Sequence, residues 1–316
     1  MRIDSDMGSP DYTIRENVNQ VKILGLNFMM RSCLVMILLL LSTTSILLAK
    51  SLTLDEGSIY YEMHGKGQAV VLLHGGFGDN RMWNLQFDVL SKDFKVIRYD
   101  QLGFGKSSKP QAEYSPVAVL LQLLNQLKIQ KAILNGNSMG GTLAIDFALL
   151  HPDRVSSLVI VGSGADGYPI PKEDQDRMNA VFSTAAQKGL PEAEELWLAQ
   201  PMVAVAMSHP ASSELLRTMV KDNNSIFRMR FWPIEKMKPP GLERLKEINV
   251  PTLFIVGDQD IPVVHSIADA TMTGIGGSRK VIIKDTDHLP QMEKPAEFNN
   301  VVTQFLKNPQ SQKNQP

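Results

Sequence analysis

Ser138, Asp260 and His288 are the side chains through which this sequence could do covalent chemistry. Ser138 lies in Gly136-Asn137-Ser138-Met139-Gly140, a G-x-S-x-G pattern that carries meaning where a strand turns sharply into a helix. There, Gly136 and Gly140 let the two backbones approach, and the hydroxyl is held out at the sheet edge. The Met139 N–H, first in the helix, points to the same spot with the positive end of the helix dipole. A serine hydroxyl is a weak nucleophile until a base takes its proton. Of the six histidines, His288 best fits that base: it follows an apolar strand by one short loop and precedes the last helix. His64, His74, His151, His209 and His265 read as turn, packing or surface residues. The base needs an acceptor on its other ring nitrogen. Asp260 is the expected acceptor, with Asp258 and Asp166 as alternatives. A tetrahedral oxyanion requires two convergent N–H donors. His74-Gly75-Gly76-Phe77-Gly78 offers one from Gly76, or from its neighbour Phe77, to pair with Met139. His74 itself reads as a residue pinning this loop. No Lys-Ser/Thr follows these glycines and no G-x-G-x-x-G is present, which argues against nucleotide binding.

Residues this far apart meet only if a sheet brings them to one edge. Ser58–Met63 alternates in polarity, whereas Ala69–Leu73 is a continuous apolar run, as in a central strand buried on both faces. Further strands are predicted at Phe94–Tyr99, Ala132–Leu134, Leu158–Val161, Thr252–Val256 and Val281–Ile283. Helices are predicted over Arg81–Leu90 with Asn80 as cap, over Leu120–Leu127 and over Met139–Leu150. The last begins near Pro295 and buries Phe298, Val301, Val302, Phe305 and Leu306. Apolar strands alternating with amphipathic helices predict an α/β fold: a mostly parallel sheet covered on both faces. From about Tyr168 to Arg244 the alternation stops. This stretch holds Trp197 and Trp232 but no convincing strand, and it reads as a helical cap over residues 169–244, inserted between sheet strands. The core is then 51–168 with 245–307, and 308–316 is a polar, loose tail.

The 316 residues carry 32 basic and 33 acidic side chains, 43% hydrophobic residues and one cysteine. That is ample for a packed core, so general disorder is excluded. Charge so near balance argues against a nucleic-acid partner. One cysteine forms no internal disulfide, no Cys/His cluster has zinc spacing, and no metal or organic cofactor is expected. Residues 1–50 stand apart. Arg31 precedes the apolar run Leu34–Leu41, Ser42–Ser45 interrupt it, and Ile46–Ala49 resume it. This layout, over about 29–51, predicts a secretory signal with cleavage before Ser51, or else an anchor through 33–49. The expected location is therefore exported or membrane-tethered.

Three more segments add a resemblance. Arg98-Tyr99-Asp100-Gln101-Leu102-Gly103-Phe104-Gly105-Lys106-Ser107 is similar to a turn of the α/β-hydrolase family. His151-Pro152-Asp153-Arg154-Val155 and Glu293-Lys294-Pro295-Ala296-Glu297-Phe298 also look like family segments. With the order Ser138, Asp260, His288, the chain resembles that family from about Leu52 to Lys307. Gln101-Leu102 depart from it by replacing a usual basic residue, and the helical stretch between Tyr114 and Ile129 is short. The resemblance implies a serine hydrolase. Gly136-Asn137-Ser138-Met139-Gly140-Gly141 is similar to C–C bond hydrolases of aromatic ring-cleavage pathways. Phe77 and Leu289 stand where those enzymes tend to have proline and tryptophan, and the oxyanion loop with Arg81-Met82-Trp83 resembles rather the enol-lactonases and small-ester hydrolases. The expected reaction is cleavage of a carboxylic ester or lactone of a small, partly apolar substrate, lined by Phe77, Trp197, Trp232 and Leu289. The alternatives are C–C bond hydrolysis and a non-catalytic ligand-binding relative of the same fold.

Overall fold

The computed structural model describes residues 48–228 and 234–309. In chain order the strands are β1 (Leu48–Leu54), β2 (Gly57–His64), β3 (Ala69–Leu73), β4 (Lys95–Tyr99), β5 (Ala132–Asn137), β6 (Val155–Val161), β7 (Thr252–Gly257) and β8 (Arg279–Ile283). They form one sheet in the order β1-β2-β4-β3-β5-β6-β7-β8. The pairings from β4 through β3 to β8 are parallel; β1 and β2 form an antiparallel edge. The helices are α1 (Asn84–Leu90), α2 (Pro116–Gln126), α3 (Met139–Leu150), α4 (Lys172–Gln187), α5 (Leu190–Leu198), α6 (Ala204–Ser208), α7 (Pro210–Asp222), α8 (Gly241–Arg244), α9 (Pro262–Gly274), α10 (Pro290–Glu293) and α11 (Pro295–Lys307).

The apolar runs are continuous because the sheet has a core on each face. Successive side chains of a strand point to opposite sides. Val71 and Leu73 join one cluster, with Leu120, Leu123 and Leu124 of α2 and Leu143 and Phe147 of α3. Val70 and Leu72 join the other, with Phe87 and Leu90 of α1 and Phe298, Val302 and Phe305 of α11. Every residue of β3, β5 and β7 is buried. These three strands end near Gly75, Ser138 and Asp260, so the best-buried part of the sheet supports the candidate residues.

Between β6 and β7 the described residues form the helices α4 to α8 and no strand, apart from a single bridge between Tyr114 and Ile234. Val181, Ala193, Trp197, Leu216, Met219 and Phe227 pack into the second cluster.

Several elements differ from expectation. The helix expected from Arg81 opens as a 3-10 turn over Asn80–Trp83, and its cap is Asp79, which accepts the Arg81 N–H at 3.0 Å. Asn80 is drawn away because its backbone N–H and side-chain amide both donate to buried Asp100. α2 starts at Pro116 instead of Leu120, capped by Ser115. Val301 is only half-buried. β1 was not anticipated; it begins at Leu48, three residues before Ser51, and pairs with β2. The remainder of the signal or anchor segment, Trp232 and nearly all of the tail lie outside the described residues.

At Gly140 the helix backbone presses on β3, and an added Cβ would lie 2.3 Å from the Leu73 carbonyl oxygen. Neither partner is a side chain that can swing aside. Gly140→Ala should therefore destabilise the protein by about 1–3 kcal/mol, as expected of an overpacked core. A urea midpoint equal to wild type would contradict this packing.

Candidate active site

Ser138 links β5 to α3 at φ 51° and ψ −119°, a conformation that side chains other than glycine rarely hold. The neighbours enforce it. A Cβ on Gly136 would lie 2.2 Å from the Gly140 carbonyl oxygen. The Ser138 N–H donates to the Val161 carbonyl at 2.9 Å, fixing the turn to β6. The Ser138 carbonyl accepts from the Gly141 and Thr142 N–H groups and from the Ser163 hydroxyl. This leaves the Met139 N–H at the first helical position, where no intrahelical acceptor exists.

His288 sits on the loop between β8 and α10, and its side chain is almost wholly buried. Its Nδ1 lies 2.9 Å from Asp260 Oδ2, and Asp260 Oδ1 accepts the Ile261 N–H. The other candidate acids are elsewhere. Asp258 accepts from the Thr286 N–H, and the Asp166 backbone carbonyl accepts from Leu242. Desolvation pulls the imidazole pKa down, but the Asp260 charge and hydrogen bond, with the Asp287 charge, outweigh it and raise the value above that of a free histidine. The ring Nε2 is buried and has no hydrogen-bond partner. Ser138 and His288 both line two adjoining cavities. Apo sites often tighten such contacts only when a substrate is bound.

Sequence reasoning missed two residues that hold this ring. Asn137, hidden inside the serine motif, donates from Nδ2 to the His288 carbonyl at 2.9 Å. Gly162, at φ 53°, makes room, since a Cβ there would stand 3.0 Å from His288 Nδ1. Neither stands out in a single sequence, because both act on a loop more than 120 residues away.

The loop after β3 faces the same place. His74 is fully buried; its Nδ1 meets the Gly75 carbonyl at 2.8 Å and its Nε2 accepts the Gln101 N–H at 3.0 Å. Those contacts require hydrogen on Nδ1 and a lone pair on Nε2. Desolvation holds the ring pKa below its ordinary value, despite opposing contributions from Asp100, Gly75 and Asp79. Gln101, which departs from the family pattern, closes the loop by donating to the His74 carbonyl at 2.9 Å. A Cβ added to Gly76 would meet nothing within 4 Å, so Gly76 borders open space. Phe77 adopts φ 60° and stacks on Phe227 with ring centroids 4.9 Å apart, and it lies as close to Trp197.

The two cavities differ. An inner one of about 120 Å³ is lined by Gly76, Phe77, Met82, Trp197, Leu216 and Leu289 among others. An outer one of about 540 Å³ adds polar groups, including Asp166, Asp174, Arg177 and Gln200. Arg177 is ion-paired with Glu173 and Asp174. Among the described residues no group of three or more His, Cys, Asp or Glu side chains could hold a metal ion.

Residues 68–295 match the model of the alpha/beta hydrolase fold family. The chain belongs to that family. Among similar alpha/beta hydrolases is a 2-hydroxy-6-oxononadienedioate/2-hydroxy-6-oxononatrienedioate hydrolase of Klebsiella pneumoniae, 29% identical over 82% of this chain and 95% of its own. A solved thermophilic esterase from Thermogutta terrifontis is 26% identical, with a TM-score of 0.70, over 84% of this chain and all of that one. An N-acyl homoserine lactone-degrading enzyme is 25% identical, with a TM-score of 0.67, over 81% of this chain and all of its own. Alpha/beta hydrolases similar to this chain thus span C–C, ester and lactone chemistry.

Because the Asp260 charge and hydrogen bond raise the His288 pKa, Asp260→Asn should make the ring titrate at lower pH than in wild type. NMR titration of the imidazole checks this; an unmoved midpoint would mean the carboxylate does not act on the ring.

Proposed function

We propose that this alpha/beta hydrolase cleaves a carboxylic ester or lactone of a small, partly apolar substrate through an acyl-enzyme. The observation that carries the reading is the buried Asp260–His288 pair, whose partnerless Nε2 borders the cavities that Ser138 also lines. In the proposed reaction Ser138 Oγ attacks the carbonyl carbon as His288 Nε2 takes its proton. The Gly76 and Met139 N–H groups receive the developing oxyanion, with the Phe77 N–H as the alternative to Gly76. Asp260 holds the ring tautomer and stabilises the imidazolium. The imidazolium returns its proton to the departing alkoxide. Water then attacks the acyl-enzyme with His288 as base, which frees the acid and Ser138. No step calls on a metal or organic cofactor.

The inner cavity suits a short apolar acyl group against Phe77, Trp197 and Leu289, and the outer one an alcohol portion. The helices α4 to α8 would cap both. C–C bond hydrolysis is the second reading, favoured by the Klebsiella relative. Ester or lactone cleavage is preferred because Arg177, the arginine lining the outer cavity, is already engaged by two carboxylates, and Asp166 and Asp174 line the same wall. A dianionic substrate of the kind named for that relative would meet a wall of its own sign. The run 34–48 supports export or a membrane tether for this enzyme.

A substrate panel tests the reading. Turnover of short-chain p-nitrophenyl esters and small lactones should exceed that of vinylogous diketo acids, and the reverse order would favour C–C chemistry. Ser138→Ala should lower kcat by ~10⁴-fold or more and abolish labelling by a fluorophosphonate. A folded wild-type protein that is never labelled would support a ligand-binding role.

A further inference from the structure

Beside His288 stand two carboxyl groups, one fully buried and one half-buried, that the proposed reaction does not use. Glu293, at the end of α10, reaches back along the loop. Its Oε2 accepts the Asp287 N–H at 2.7 Å and its Oε1 accepts the Leu289 N–H at 3.2 Å, so one carboxyl group brackets His288 from both sides. Asp287 is fully buried. Its Oδ2 accepts the Val205 N–H of α6 at 2.6 Å, while its Oδ1 is buried without a donor. The 2.7 Å contact sets the Glu293 carboxyl against Asp287, close enough for the two side chains to act on each other as hydrogen-bond partners. Two ionised carboxylates cannot donate to each other, so that bond needs a proton. A proton on Glu293 would supply the donor that Asp287 Oδ1 lacks.

We infer that buried Asp287 and half-buried Glu293 form a carboxyl pair, sharing one proton, that positions His288 and ties its loop to the helices between β6 and β7. The tie has two strands: Asp287 to the Val205 N–H, and the His288 N–H to the Met202 carbonyl at 3.3 Å. Met202 also lines both cavities, so the pair connects the wall of the site to the ring beside it. Desolvation, then the hydrogen bond to Asp287 and its charge, push the Glu293 pKa up to about 9.

No other nearby charge takes over this role. Arg81, on the turn beside α10, is paired with Asp79 and Asp222. Lys294 is paired with Asp285, and on α11 Lys307 is paired with Asp93 while Glu297 is exposed. On α1, Asp88 is exposed, and α6 carries no ionisable side chain. On the loop itself His288 is held by Asp260, and Asp258 accepts from Thr286.

The catalytic consequence rests on the hydrolase reading above, but the pair can be tested without substrate. Above the ordinary pKa of an unfolded glutamate the folded protein keeps a proton that the unfolded chain has released. Wild-type stability should therefore decline as pH rises from about 5 to about 9 through this group. In Asp287→Asn the amide N–H takes the proton's place toward Glu293, while the amide oxygen still accepts from Val205. The melting temperature of this variant, measured across that range, should gain on wild type as pH rises. With an ester substrate, wild-type kcat/KM should fall as Glu293 loses its proton near pH 9, and this alkaline limb should be absent in Asp287→Asn. Asp287→Ala, which breaks the tie, should lower kcat by ~10–100-fold with little change in KM, and Asp287→Asn should rescue most of that loss. Parallel melting profiles, or an unmoved alkaline limb in an active Asp287→Asn enzyme, would overturn the pair. Wild-type protein lacking hydrolytic activity would instead count against the hydrolase reading, and the melting comparison alone would then decide the pair.

Discussion

The hydrogen bond between Asp260 and His288 is the constraint on which the site depends. It joins the turn after β7 to the loop after β8, and both side chains are removed from water. Away from solvent, a carboxylate without a partner would be costly, and an imidazole without one would be free to rotate. Together they fix which ring nitrogen carries hydrogen. Nδ1 faces the acid, and Nε2 is left without a partner on a residue that lines both cavities. Other features serve that arrangement: Gly162 vacates the space the ring occupies, and Asn137 holds the carbonyl of the same residue from the strand carrying Ser138.

A second theme is strain held by dense packing. Ser138 and Phe77 both adopt positive φ without being glycines, and both border the cavities. Such conformations cost on the order of 1–3 kcal/mol each and persist where the surroundings leave no alternative. At Ser138 those surroundings are β5, α3 and β6, pressed together over Gly136 and Gly140. At Phe77 they are the aromatic rings of Phe182, Trp197 and Phe227. The helices after β6 thus help to shape a loop that belongs to the sheet edge. The Asp287 and Met202 contacts carry the same coupling to the histidine side.

The loop after β3 is shaped by polar groups that find partners inside the protein. His74, Gln101 and Asp100 form a buried network that shapes the loop after β3. Burial raises the Asp100 pKa, and the N–H groups of Asn80 and Lys106 offset part of that cost. Gln101 explains itself here. A neutral amide can donate to the His74 carbonyl without bringing a charge into the interior.

The order of strands β2 to β8, the serine turn and the histidine after β8 were legible in the sequence, because each rests on local rules. Apolar runs mark buried strands, glycines at fixed offsets mark a tight turn, and proline marks a helix start. The N-cap of the first helical turn was misread at Asn80 because its side chain is taken by Asp100, twenty positions on. β1 escaped notice for the opposite reason: its apolar start merges with the run before it. What only the tertiary structure decided were relations between segments distant in the chain. It singled out Asp260 from Asp258 and Asp166 as the partner of His288, placed Asn137 and Gly162 around the ring, and brought Glu293 against buried Asp287. Periodicity and motif spacing report on neighbours within a few residues. Which carboxyl group ends up beside which ring is settled by the packing of the whole chain.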